Sequence, residues 1–337
     1  MKAKLLSTLK YLFFLGIGIG ILYALFKDKD LDKMLADLQN AEYKWLVFSM
    51  AFGYAAYLFR GLRWLLLLEA MNYKTTANLA TQSIAAGYFA NIIFPRAGEV
   101  VRCTSLYKVT GIPVNKLFGT ILLERTIDMI LLLVCICLSF LLKFKALTSF
   151  FGKVFNSAPS GQISPGKIVF LASIITVPVM IYLFRAQLQQ SSLYQKIKGL
   201  ARGVKEGFQT AFHIKRKGLF AVYTLLIWIM YLLMTYICFF SISETMHLSL
   251  ADGLYITVIG GLGMIVPVQG GLGPYHAAVT LGIVSIGLTE TTGATLAVLI
   301  HSAQTIMILI TGIIAAIVLS FAKRKASQNE SMEQASN

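Results

Sequence analysis

Acidic residues are scarce in this chain. Its 337 residues hold 15 Asp and Glu against 30 Lys and Arg, and charged residues make up only 13 % of it. So few polar groups cannot cover a water-facing surface, which excludes a soluble globular protein. Cysteine is scarce too: of Cys103, Cys135, Cys137 and Cys238, none forms a C-x-x-C pair, and three lie inside apolar runs where a thiol is a small hydrophobe. Neither disulfides nor a metal site is expected. The sequence has no H-E-x-x-H, no zinc spacing and no Ser/His/Asp set on polar loops, and its glycine-rich "QGGLGP" lacks the strand and the G-K-[ST] ending of a phosphate cradle. Nothing demands an enzyme, and no cofactor is expected.

What the sequence has instead is apolar length: 57 % of it is hydrophobic, with a mean hydropathy of +0.71. Six segments, 9–26, 45–68, 116–142, 168–184, 219–240 and 293–320, approach the length that a ~30 Å hydrocarbon core requires of a helix. The expected fold is an all-α integral membrane protein, a single polytopic domain over 1–322 followed by a polar C-terminal tail, 323–337. The net charge of +15 falls in loops, where anionic lipid headgroups explain it better than nucleic acid does. Lys2, Lys4 and Lys10 precede "YLFFLGIGIGILYALF"; with no A-x-A-like cleavage site this reads as an uncleaved anchor, with Gly16 and Gly20 as a G-x-x-x-G packing face.

Three stretches are left over. The linker 185–218 carries Arg185, Lys196, Lys198, Arg202, Lys205, Lys215, Arg216 and Lys217 against Glu206 alone, which makes it cytoplasmic. Its Leu193, Ile197, Leu200, Val204, Phe208 and Phe212 recur at helical spacing, so it is either an amphipathic helix on the membrane surface or a solvated one. Residues 77–110 and 252–288 each hold two short apolar arms joined by a break, "PRAG" in one and "PVQGGLGP" in the other. Both read as re-entrant hairpins. With cytoplasmic N- and C-termini, each basic cluster falls inside, while the mixed loop 27–44 fits the outside poorly. The first half, 1–142, then repeats upside down as the second, 168–320. Such inverted repeats, interrupted at matching places, mark secondary transporters and point to the substrate site.

Irregular backbone at membrane depth survives only inside protein or beside a wet cavity, so both tips are expected to line one chamber. Arg96, Glu99 and Arg102, three apart, stack on one face of a helix starting near Pro95. Glu124, Arg125 and Asp128 lie ~12 to 18 Å in from Lys116, near the midplane. Charges there cost about 2.5–3.5 kcal/mol each and need a partner or a task. Either Glu99 pairs with Arg102 and Asp128 with Arg125 as structural ion pairs, or an arginine is left to hold an anionic headgroup, with Arg96 beside a helix N-terminus the best placed. Gln269, Gly270, Gly271 and Gly273 let backbone approach a ligand, and Tyr275 and His276 open the next helix. His301, one turn before Gln304, and His276 are either packing residues or proton relays. Arg60 and Arg63 are expected to snorkel at a helix end, with a headgroup contact as the alternative.

At "NIIFPRAGEVVR", "LLERTIDMILL" and "MIVPVQGGLGPYHAA" the chain resembles the transmembrane region of the lysylphosphatidylglycerol synthase and flippase-like family. The resemblance implies an inner-membrane protein that moves, or helps use, anionic lipids, either phospholipids or polyprenyl-phosphate carriers. It also implies functional positions at Asn91, Pro95, Arg96, Gly98, Glu99 and Arg102, at Glu124, Arg125 and Asp128, and at Pro267, Gly270, Gly271 and Gly273. Gln269 stands where the family often has Pro, and His276 where it often has Glu. The soluble aminoacyl-transferring domain is not recognised, so lipid aminoacylation is not expected of this chain. A lipid translocase is the leading expectation; the alternatives are a non-transporting membrane partner of a glycosyltransferase or lipid-modifying enzyme, and a membrane enzyme acting on lipid.

Overall fold

The computed structural model describes residues 2–27, 29–155 and 214–336. The expected span 168–184 and most of the expected amphipathic linker 185–218 lie outside the described residues. Within them the chain is all helical: α1 (Lys2–Phe26), α2 (Leu31–Gln39), α3 (Tyr43–Ala70), α4 (Ala77–Ile93), α5 (Gly98–Thr110), α6 (Val114–Leu142), α7 (Phe144–Phe155), α8 (Lys217–Tyr236), α9 (Leu250–Gly263), α10 (Pro274–Ser285) and α11 (Glu290–Ser336). Short 3-10 turns occupy Ile237–Ser241, Ser243–Thr245 and Gln269–Gly271.

Among the described residues four helices, α3, α6, α8 with its 3-10 extension, and α11, are long and apolar enough to cross a membrane. They coincide with four of the six expected spans. The expected span 9–26 falls on α1, whose Leu15–Phe26 is a shorter apolar stretch. Two helices were not foreseen. The mixed loop 27–44 contains α2, started by the Asp30 carboxylate accepting from the Lys33 N–H at 2.9 Å, and α7 follows α6 after a single residue. The polar tail does not leave the last helix, which continues through it to Ser336.

The outward surface is inside-out relative to a water-soluble protein. Ile306, Ile310, Ile313 and Ile317 form an exposed stripe along α11 at helical spacing, and Met129, Ile130, Leu133, Val134 and Leu138 do the same on α6. Contiguous exposed apolar faces of this size require a hydrocarbon solvent. The chain is a membrane protein.

Two breaks organise the interior. α4 starts at Thr76, whose hydroxyl accepts from the Leu79 N–H at 3.2 Å, and stops at Phe94, which is held extended (φ −125°, ψ 116°) by the following Pro95. The chain turns through Arg96 in the left-handed region (φ 63°) and re-enters helix at Gly98, whose N–H donates to the Asn91 side chain at 2.7 Å. α5 packs back along α4, and Gly87 and Gly98 set the closeness of that pairing: a Cβ on Gly98 would lie 2.5 Å from the Gly87 carbonyl oxygen. The second break has the same plan. α9 is opened by a reciprocal Ser249–Asp252 cap and α10 by Pro274 in its first turn; between them Gly270, Gly271 and Gly273 all take positive φ.

Each helical pair sits in its own core. Trp64, Leu67, Ile84, Leu106 and Ile121 surround α4 and α5, whereas Phe239, Tyr255, Tyr275, Ile283 and Ile300 surround α9 and α10. α11 runs past both, against α10, α4 and α3, while α8 lies along α3. Among the described residues a Cβ on Gly16 or Gly20 of the expected G-x-x-x-G face would meet nothing within 4 Å; the α1 glycine in close contact there is Gly18, whose carbonyl oxygen would lie 2.5 Å from a Cβ on Gly273. Among the described residues α1 meets both the tip of irregular backbone and α10 that follows it.

Replacing Gly98 by Val forces α5 off α4, and we expect a loss of about 1–3 kcal/mol in stability, read as a lower melting temperature in detergent.

Candidate functional site

Charges within the bundle are paired across helices, not along them. Both carboxylate oxygens of Asp128 on α6 are gripped from α3: Arg63 Nη1 donates to Oδ1 at 2.8 Å and Nη2 to Oδ2 at 3.3 Å, while Arg60 Nη2 donates to Oδ2. One turn away Arg102 Nη1 donates to Glu124 Oε2 at 2.7 Å, with Arg63 Nε 3.8 Å from the other oxygen. Arg102 also lies over the Trp64 ring, 3.8 Å from its centroid, and that indole donates to Thr120 at 2.8 Å. These five charged residues are at most 8 % exposed. Nearer the surface Arg125 Nε donates to Glu99 at 2.8 Å.

Three expectations are corrected here. Glu99 pairs with Arg125 rather than Arg102, and Asp128 pairs with Arg60 and Arg63 rather than Arg125. α5 lies beside α6, so pairing within each helix would leave unlike charges facing one another unused. Arg60 and Arg63 do not snorkel: three residues apart on one face of α3, they turn inward to one carboxylate, Asp128.

The two breaks meet. A cavity of about 410 Å³ is walled on one side by Asn91, Ile92, Pro95 and Arg96 of the first break and on the other by Met264, Val266, Pro267, Val268, Gly270 and Gly271 of the second. Tyr57, Tyr88, Tyr231, Arg125 and Gln304 complete its polar lining, and Gly53, Met234, Met307 and Ile308 its apolar floor. Tyr57 and Tyr88 are stacked, with ring centroids 4.5 Å apart and planes at 4°, and the Tyr88 hydroxyl is 3.4 Å from that of Tyr231. Arg96 Nη2 donates to the Ile265 carbonyl at 3.3 Å, a direct link between the two breaks, and no described carboxylate pairs with it. A smaller recess with room for about one water joins Tyr88, Asn91 and Arg125 to Arg60, Gly98, Glu99 and Arg102. Arg60 Nε and Arg102 Nε and Nη2 are buried there without an acceptor among the described residues.

Of the expected site residues, Asn91, Pro95, Arg96, Arg125, Pro267, Gly270 and Gly271 line the cavity. Gly98, Glu99 and Arg102 lie on the recess, whereas Glu124 and Asp128 are ion-pair anchors behind it. Gln269, Gly273, Tyr275, His276 and His301 are not on the wall. The two histidines brace the second tip: His301 Nε2 is 2.9 Å from the Gly270 carbonyl oxygen, His276 Nδ1 accepts from the Gly273 N–H at 3.4 Å, and the two imidazoles are 4.6 Å apart. Sequence reasoning missed the three tyrosines and the methionines. A signal existed for some of them, since Tyr57 with Arg60 and Tyr88 with Asn91 recur at helical spacing.

The arginines exceed the acids. Arg60, Arg63, Arg102 and Arg125 face Asp128, Glu124 and Glu99, which leaves one positive charge, and Arg96 adds a second. The arrangement is suited to an anion.

A family model for the lysylphosphatidylglycerol synthase TM region matches residues 11–312. No curated protein and no solved structure matches the chain.

Removing the shared carboxylate strands two buried guanidiniums. Asp128→Ala is expected to cost about 3–5 kcal/mol, whereas Glu99→Ala, which breaks a half-exposed pair, costs about 1 kcal/mol or less; thermal unfolding of the two variants in one detergent checks the ranking.

Proposed function

We propose that this chain, which belongs to the lysylphosphatidylglycerol synthase TM region family, translocates an anionic lipid by holding its headgroup in the cavity between the two breaks. One observation carries the reading: two interruptions recognisable in separate halves of the sequence form opposite walls of a single chamber. Interrupted helices meeting in this way are how membrane transporters expose polar backbone to cargo. On this reading 77–110 and 252–288 are re-entrant hairpins entering from opposite sides, and the halves 1–142 and 168–320 form an inverted repeat. Both termini are then cytoplasmic and the membrane is the inner one.

The chemistry fits a phosphate-bearing headgroup. Arg96 and Arg125 supply planar guanidiniums, Asn91, Tyr88 and Tyr231 neutral hydrogen-bonding groups, and Met234, Met264 and Met307 a deformable apolar surface. A space of about 410 Å³ suits a headgroup, with the acyl chains left in the bilayer. The cargo is therefore a phospholipid or a polyprenyl-phosphate carrier, and no nucleotide, metal or cofactor enters the scheme. Arg96 carries the selectivity, since an arriving phosphate replaces the Ile265 carbonyl as its partner.

The test is transfer of a headgroup-labelled anionic phospholipid between leaflets of liposomes containing the purified chain. We expect transfer by the natural sequence and a drop of roughly tenfold or more in Arg96→Ala, as loss of a charge-assisted hydrogen bond predicts, with its melting temperature unchanged. Transfer no faster than in protein-free liposomes, from chain shown to be folded and inserted, overturns the proposal; stable co-purification with a lipid-modifying enzyme would then point to a partner role.

A further inference from the structure

The face of α4 turned away from the central cavity carries a second feature. Tyr88, Asn91 and Ile92 look into the cavity, whereas Ala86, Phe89, Ala90 and Ile93 line a separate groove of about 450 Å³ between α4, α5 and α11. Its length is apolar, with Phe94 and Val101 near the tip of the first break and Gly312, Ala316 and Leu319 along α11. Its other end is cationic. Ser105 and Lys108 on α5 and Ser320 and Lys323 on α11, each pair one helical turn apart, close the same groove from two sides.

We propose that this groove binds one anionic phospholipid from the surrounding leaflet, an acyl chain along the apolar length and the phosphate between Lys108 and Lys323. The dimensions agree. From Gly312 to Lys323 the helical rise is ~16 Å, about half of a ~30 Å hydrocarbon core, which is the depth of one leaflet. Lys323 sits at the end of the membrane-crossing part of α11, at headgroup level. Both lysines are exposed, and among the described residues neither has a carboxylate partner. A second copy of the chain meets these lysines poorly, because its membrane-buried acids Glu124 and Asp128 are already held by arginines. A phosphate meets them well. Bound there, a lipid rests against the outer face of the helix whose inner face forms the cavity wall, so the site is separate from the translocation path and does not depend on it.

Native mass spectrometry of the full chain, extracted from mixed phosphatidylcholine and phosphatidylglycerol vesicles, tests the proposal. We expect a retained phosphatidylglycerol adduct in preference to phosphatidylcholine. Lys108→Glu/Lys323→Glu should weaken its retention on the order of tenfold to thirtyfold, and Ala316→Phe, at an exposed position facing the groove, should expel either lipid. Arg96→Ala should leave the adduct in place, which separates this site from the central cavity. Retention unchanged in the double lysine variant, equal retention of the two lipids, or a second protein chain in place of the adduct overturns the proposal. If Ala316→Phe alters folding, the two surface lysines decide the matter.

Discussion

A charge inside a bilayer has no water to fall back on, and the first half of this protein is arranged around that constraint. Asp128 accepts from Arg60 and Arg63 of one neighbouring helix, and Glu124 accepts from Arg102 of another. Three helices are thereby fixed in mutual register by contacts that tolerate little displacement, since a guanidinium moved out of reach of its carboxylate is stranded in low dielectric. The break at Pro95 is held in place by the same network, because α5, which carries Arg102, begins immediately beyond it. Packing then does the rest. Gly87 against Gly98 and the Asn91 side chain on the Gly98 N–H close the turn so that Arg96 projects from a defined point.

Much of this was legible in the sequence because membrane constraints leave strong marks. Apolar length located α3, α6, α8 and α11, and paired Pro and Gly interruptions located both breaks to within a few residues. Their meeting in one cavity followed from the need of irregular backbone for protein or water around it. The partners of the charges were not legible. Spacing along one helix ranks neighbours on that helix, whereas the pairs that form depend on how α3, α5 and α6 lie side by side, which no periodicity encodes. Arg60 and Arg63 illustrate the failure: a position near a helix end predicts escape to the headgroups, and only the presence of Asp128 on the adjacent helix reverses it. The helices α2 and α7 escaped notice for a simpler reason, being short segments just outside the long apolar runs.

The second half solves the same problem by other means. Around its break there are glycines in positive φ, imidazoles meeting backbone groups, and Gly18 of α1 pressed against Gly273. Backbone is satisfied there by neutral partners. His276, where the resembled family often has Glu, belongs to this neutral bracing and not to the cavity wall, and the described arginines on that wall, Arg96 and Arg125, come from the first half.

This asymmetry decides which wall is rigid. On one side of the chamber α3 and α6 are clamped by two guanidiniums on a single carboxylate, so neither can twist against the other without tearing a salt link apart. On the other side stand a glycine loop and the pliant thioether of Met264, with Met234 and Met307 on the floor between. Under the proposed function the fixed wall would act as a template that measures charge and the yielding wall as a cushion that adapts to shape, a division of labour that would let one site take headgroups of different bulk but like charge.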